Sequence, residues 1–478
     1  MVDYEPSSIW SDFAMAETKA SAPLQAGQSK LARQLGPFHA TMVVMGGIIG
    51  AGIFINPAVV ARQVHTPALI VGVWVFGGFI ALAGAFIYAE LAARLPLVGG
   101  DYAYLREAYH PLLAFLNGWA LLLVMQSGGM AAVAVTFAHY FAELVPAAIS
   151  ERLLAAAAIG FLAFVNCLGV RAGSTVQSAL MITKIGIIAS LVLCGWLLVR
   201  SPVPPSPHLL DRPISFDLLS AVGAAMVPVL FAYGGWQTVN FIAGEVREPR
   251  KNLPRGLLIG VCGVIVLYLS VALVCVRALG PAQLAATSTP VSQVMRMALG
   301  QRGAALIAFG IAVSTFGFLS QNILTAPRVY FAMAQDGLFF RSVAWVNPRT
   351  RVPIVAITLQ GALAALMALS GGYEQILNYV TSVDWIFFAL GASCLFVLRH
   401  RDSHRPPSAS IPAQDSSSFR VPGHPFTTTF FIASCAFVVC STIFKYPLNS
   451  AIGLGILLAG VPVYFLWRKF QPASALSL

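Results

Sequence analysis

The sequence predicts an all-α polytopic membrane protein with about twelve transmembrane helices. Three observations carry that prediction. Charged residues make up 10% of the chain and hydrophobic ones 58%, with a mean hydropathy of +0.79, whereas soluble domains are about 25% charged. Apolar runs recur near 38–62, 67–93, 111–145, 153–169, 175–199, 217–243, 256–277, 303–334, 353–370, 376–398, 428–444 and 448–467, and most reach the ~17–25 residues of a helical crossing. The first and sixth runs are interrupted by glycines, which divides the chain into two five-helix halves. The expected organisation is a tail at 1–35, halves at 36–200 and 213–400, a polar loop at 401–425, two last helices within 426–470, and a tail at 471–478.

The first 35 residues are polar and mixed in charge, without the apolar core of a secretory signal, so a disordered tail is expected there. Span one contains Gly46, Gly47, Gly50 and Gly52 within G-G-I-I-G-A-G-I-F-I-N-P. Each interior glycine costs a helix roughly 1 kcal/mol relative to alanine, so the run weakens its helix. Two readings follow. Freed backbone at membrane depth can line a polar cavity, or small residues can let two helices approach closely. Span two ends in Y-A-E-L, and the loop R-L-P-L-V-G-G-D-Y-A-Y follows, so that Glu90, Arg94, Asp101, Arg106 and Glu107 crowd one helix end. A solvated rim or structural network is expected of them rather than a gate.

Span three carries the small, polar patch Gln126-Ser127-Gly128-Gly129 at mid-depth. Span five carries Lys184, which sits roughly 13 Å along the helix at 1.5 Å per residue, near the middle of a ~30 Å core. An ammonium there faces the bundle interior and is functional by default. Span six repeats the opening pattern in F-A-Y-G-G-W-Q and ends in the basic loop V-R-E-P-R-K-N-L-P-R. Paired glycine-interrupted segments at corresponding positions of two halves point to a transporter's binding site, so coordination leads close packing as the reading of span one. Span eight holds Ser314, Thr315, Ser320, Gln321 and Asn322, too polar a set for a lipid-facing helix. Span ten carries Asp384 near the midplane, where a carboxyl must be paired, protonated or facing water.

The net charge of +11 does not imply nucleic acid. With both termini inside, twenty of the 29 basic residues fall in cytoplasmic segments and eight in outer ones, with Lys184 in a span. That bias follows the positive-inside rule and sets the expected orientation. The seven cysteines all fall in spans, so neither a disulfide framework nor a metal site is expected.

Taken together, G-G-I-I-G-A-G-I-F, Y-A-E-L…P-L-V-G-G-D-Y-A-Y, F-A-Y-G-G-W-Q-T-V-N-F, R-E-P-R-K-N-L-P-R, R-V-Y-F-A-M-A-Q-D-G-L-F and G-V-P-V-Y-F resemble the L-type amino acid transporters of the amino acid–polyamine–organocation superfamily. The likeness runs from about residue 35 to 470. It implies a leucine-transporter-type 5+5 inverted repeat with helices one and six discontinuous. It also implies that a substrate carboxylate meets N–H groups at Gly50, Ala51 and Gly52, and its amine meets carbonyls of Ile48, Phe231 and Gly234. Phe231 would close over the substrate as a gate, while Gly128, Gly129 and the stretch from Ser382 to Trp385, including Asp384, would line the side-chain pocket. Lys184 matches the span-five lysine of sodium-independent relatives, where it substitutes for a sodium ion and bridges to span eight, here to Ser314 or Thr315. Two departures stand out. Ala51 replaces a hydroxyl residue, and Asp384 replaces an asparagine of mammalian relatives.

The outer turn V-P-A-A-I-S-E lacks the cysteine that ties eukaryotic relatives to a glycoprotein. The expectation is therefore a stand-alone carrier, monomeric or homo-oligomeric, in a bacterial inner membrane, with no cofactor and no metal. It would move amino acids by sodium-independent exchange or proton-linked transport. Alternatives are a polyamine or cationic amine carrier, and an amino acid sensor without flux. No triad, metal cluster or phosphate loop in the sequence supports an enzyme.

Overall fold

The computed structural model describes residues 31–145, 149–199, 209–210, 213–370, 373–404, 419–445 and 447–470. The tails at 1–30 and 471–478, the loop over 405–418, the middle of the outer turn (146–148) and the side chain of Ser382 lie outside the described residues.

The first run is two helices, α1 (Pro37–Ile48) and α2 (Gly52–Ala61), bent by 43° at the glycines. Thr66 caps α3 (Pro67–Arg94) by accepting from the Leu69 N–H at 3.3 Å, in the manner expected of a hydroxyl N-cap. The short α4 (Asp101–Ala108) leads to α5 (Pro111–Ala120), a π-helical turn at Leu121–Met125, and α6 (Gln126–Leu144). Next come α7 (Glu151–Cys167), α8 (Val170–Leu197) and α9 (Phe216–Tyr233), and a 3-10 segment at Trp236–Glu245 continues the sixth run. The second half continues with α10 (Pro249–Ala286), α11 (Pro290–Leu299), α12 (Gln301–Thr325), α13 (Pro327–Gln335), α14 (Ile354–Ser370) and α15 (Tyr373–Ser403), followed by α16 (Phe426–Lys445) and α17 (Pro447–Phe470).

Among the described residues, nine helices are long and apolar enough to cross a membrane, and the bent pair α1–α2 makes a tenth. Two more of the predicted spans, α7 and α14, are 17-residue helices, at the short end of what a crossing requires.

The core is apolar and runs the length of the bundle. α10 packs along α3 and against α1. Gly256 and Gly260 permit the second contact, since added Cβ atoms would lie 2.8 Å from Ala40 and 2.6 Å from Val44. Trp74, Tyr233 and Tyr268 form an aromatic cluster behind the two breaks, with ring centroids 5.1–5.8 Å apart.

One end of the bundle carries the start of the described chain and a dense set of ion pairs; it is called the basic end below. Glu90 is fully buried there and accepts from Arg94 at 2.8 Å, from Arg399 at 2.9 and 2.6 Å, and from the Val421 N–H at 2.6 Å. Glu245 and Arg328, both without exposed surface, pair at 3.0 Å. The backbone of Gln34 and Leu35 donates to the Glu245 carbonyl, and Arg247 donates back to Leu35. Of the five charges expected as a rim or a network, Glu90 and Arg94 join a network with Arg399, Arg106 and Glu107 pair at its partly exposed edge, and Asp101 stands apart from both.

Candidate functional site

The two breaks lie against each other at mid-bundle. α1 stops at Ile48 because Ile49 turns extended (φ −78°, ψ 94°), and α2 restarts at Gly52 behind Ala51. The N–H groups of Gly50, Ala51 and Gly52 close no backbone hydrogen bond, as the opening turn of a helix requires. In the sixth run α9 stops at Tyr233, Gly234 is extended, and Gly235 is left-handed at φ +103°, a conformation glycine adopts without cost. The Gly234 N–H turns back to the Phe231 carbonyl at 3.2 Å.

The glycine run divides its labour. Gly46 and Gly47 remain helical and serve close approach: a Cβ on Gly47 would lie 2.6 Å from the Gly235 carbonyl oxygen, and one on Gly235 would lie 2.0 Å from that of Gly47. The backbone opens only at 49–51. The two readings of the sequence thus apply to different glycines of one stretch.

Lys184 on α8 is buried to 1% exposure, and its ammonium donates to the Ile49 carbonyl at 2.7 Å. The methylene and nitrogen of that side chain lie against Gly317 of α12, where a Cβ would be 2.7 Å from Cε. Ser314 donates to the next carbonyl, Gly50, at 3.1 Å. Thr315 turns back into its own helix, donating to Ile311 and Ala312 at 2.8 and 3.0 Å. The link from span five to span eight thus runs through adjacent carbonyls of the break rather than from lysine to hydroxyl.

Phe231 retains 42% of its surface beside the loosened backbone. Gly128 is buried in the first turn of α6, while Gly129 faces open space, since a Cβ there meets nothing within 4 Å. Both follow the π-helical turn, a feature frequent at functional sites. Asp384 is half-buried on α15, next to Trp385, which packs on Phe388 at 5.4 Å.

Sequence reasoning missed Tyr268. Its hydroxyl, fully buried on α10, lies 3.1 Å from the Ile48 carbonyl and 3.4 Å from that of Ala232, so one side chain spans both breaks. A tyrosine in an apolar run carries no local signal of such a role. Gln321 was visible as an oddly polar residue of span eight; it donates to Thr238 at 2.6 Å, which in turn donates to Gly235 at 2.7 Å. Asn56 of α2 donates to Pro228 of α9 at 2.7 Å and ties the two other half-helices together. Among the described residues no group of three metal-ligating side chains occurs.

The amino acid permease family model matches residues 35–466. The chain belongs to the amino acid permease family. As a member it is an integral membrane protein, and the breaks lie within the matched region. Among its relatives, the large neutral amino acids transporter small subunit 2 of Homo sapiens is 29% identical over 93% of this chain and 82% of its own length. The serine/threonine exchanger SteT of Bacillus subtilis is 29% identical over 92% of this chain and 98% of its own. The Asc-type amino acid transporter 1 of Mus musculus is 28% identical over 92% and 82%.

Proposed function

We propose that this permease carries α-amino acids across a membrane by alternating access between two five-helix halves, without sodium. The observation that supports it most is the pair of breaks, which offers free N–H groups on one strand of backbone and carbonyls on the other. The N–H groups of Gly50, Ala51 and Gly52, at the positive end of α2, suit a carboxylate. The carbonyls of Ile48, Phe231 and Gly234 suit an ammonium. The first two already accept one hydrogen bond each, and a carbonyl has a second lone pair. Because Ala51 has no hydroxyl, the carboxylate depends on backbone alone. Phe231 closes over the bound molecule, and Gly128, Gly129 and Asp384 border its side chain.

Lys184 places its amino group next to the span-one break, the place a bound cation would otherwise take, and Ser314 completes the brace. The names of the relatives, as transporters and exchangers of amino acids, agree with this reading. With the basic end inside, the protein is a plasma-membrane carrier of a bacterial cell, with both termini cytoplasmic and no disulfide-linked heavy chain. It is not an enzyme. Purified protein in liposomes is expected to take up labelled amino acid faster when unlabelled amino acid is inside, equally with sodium or potassium outside. Uptake that ignores internal amino acid, together with no thermal stabilisation by any amino acid, would sink the proposal.

A further inference from the structure

The bundle buries a second polar cluster that the proposed cycle does not use. Asp101 opens α4 behind Gly99 and Gly100, whose left-handed φ values of 103° and 53° turn the chain inward, and it keeps only 4% exposure. Its Oδ1 faces the Tyr88 hydroxyl of α3 across Gly391 of α15. A Cβ on Gly391 would lie 2.3 Å from that hydroxyl and 3.2 Å from the carboxyl oxygen. Neither oxygen completes a well-formed hydrogen bond, nor does the Tyr104 hydroxyl, although buried polar groups are normally satisfied.

The titratable groups that act on Asp101 from the surrounding helices are Tyr88, Tyr104, Asp384 and Cys394, with Cys435 on the far side of Tyr88. Asp384 lies seven residues before Gly391, two turns and roughly 10 Å along the same face of α15. The charges nearest in sequence turn away: Arg106 pairs with Glu107 and with Asp336, which also accepts from Tyr102 at 2.7 Å. No cation among the described residues bears on Asp101. The lid over the cluster is Trp236, the first residue after the span-six break. It meets Tyr88 edge-on at 4.8 Å and stacks on Phe388 at 5.6 Å.

We propose that Asp101 is a proton-binding latch: it holds a proton while the basic end is closed under Trp236, and releases it to the solution on that side when that end opens. The inference rests on the transport reading above. Burial pushes the Asp101 carboxyl up to about 7, and the Tyr88 hydroxyl pulls slightly the other way; a carboxyl in water stays near ~3.9. Between those values the open state is ionised and the closed state protonated, so closing takes up one proton. Raising the pH from about 4 towards about 7 therefore disfavours closure by about tenfold per unit, whereas above about 7 both states are ionised and further alkali changes nothing.

The test is amino acid counterflow in proteoliposomes sorted to one orientation, with the pH of each face set independently. Counterflow is expected to fall as the pH at the basic end rises towards about 7 and to level off above it, and to ignore the pH at the other end. Asp101→Asn, which imitates the protonated acid, should flatten that response. Tyr88→Phe removes the hydroxyl that favours the carboxylate, so the pH at which the fall levels off should move upward; this variant carries the test if Asp101→Asn does not fold. Counterflow in the wild-type protein with no response to pH at the basic end overturns the latch and leaves transport standing. A levelling pH that stays or moves down in Tyr88→Phe overturns it as well. No counterflow at any pH removes the transport reading, and the latch with it.

Discussion

The basic end of the bundle pairs Glu245 with Arg328 and Glu90 with Arg94 and Arg399, all at hydrogen-bond distance. The middle, at the two breaks, relies instead on Lys184, a few hydroxyls and bare backbone. The buried carboxylates Glu90 and Glu245 at the basic end are met by guanidinium groups of the protein itself, so neither can part from its partner without stranding a charge. The middle is held by single hydrogen bonds to carbonyls that keep a free lone pair, and by N–H groups with no backbone partner. Such a region can accept a ligand without first breaking a charge pair, which is inexpensive in a low-dielectric interior only when nothing charged is stranded. The contrast separates a seal from a site.

The largest effect that would sharpen the comparison is expected at the seal. Arg328→Ala strands a fully buried carboxylate, and breaking one side of such a pair costs about 3–5 kcal/mol. Thermal unfolding in detergent should show the loss, with amino acid binding gone because little folded protein remains. At the site, Lys184→Ala leaves the Ile49 carbonyl buried and unpaired, at about 1–3 kcal/mol. Roughly ten- to hundredfold slower transport should accompany normal membrane insertion. Normal flux in that variant would remove the role given to the lysine.

Gly235→Ala places a methyl 2.0 Å from the Gly47 oxygen at φ +103°, and the left-handed backbone alone costs roughly 1–2 kcal/mol. Gly129→Ala, with open space around it, should leave the melting temperature unchanged and alter only which side chains are accepted. Equal melting temperatures for the two variants would contradict the geometry of the breaks. The smallest effect is expected for Tyr268→Phe. Losing its hydroxyl should cost about 1 kcal/mol, a several-fold weakening of amino acid binding in a thermal-shift titration.

Much of this was legible in the sequence. Apolar runs located most of the membrane-length helices to within a few residues, because span length is set by bilayer thickness, but α10 overruns 256–277 at both ends and the run 303–334 is two helices, α12 and α13. Gly234-Gly235 and the glycines at 46–52 marked both breaks, and Lys184 stood out as a charge where charges are expensive. What the sequence hid was partnership across long separations. Arg328 read as one of many basic residues setting orientation, whereas it is buried against Glu245, 83 residues earlier. Tyr268 looked like any apolar-run aromatic until the fold brought Ile48 and Ala232 to its hydroxyl. Asp101 looked like one member of a charged loop, and only packing against Gly391 shows it sealed inside. Gly46 and Gly47 could not be told from Gly50 and Gly52, because all four weaken a helix equally and only tertiary contact assigns them different work.

The central claim is that backbone at the two breaks holds both ends of an α-amino acid. Thermal stabilisation by an amino acid and by its decarboxylated amine, measured side by side on the purified protein, tests it directly. The account predicts a concentration-dependent rise in melting temperature with the amino acid and little or none with the amine, because the N–H groups of Gly50, Ala51 and Gly52 then have no carboxylate to meet. Equal stabilisation by the two compounds would contradict it.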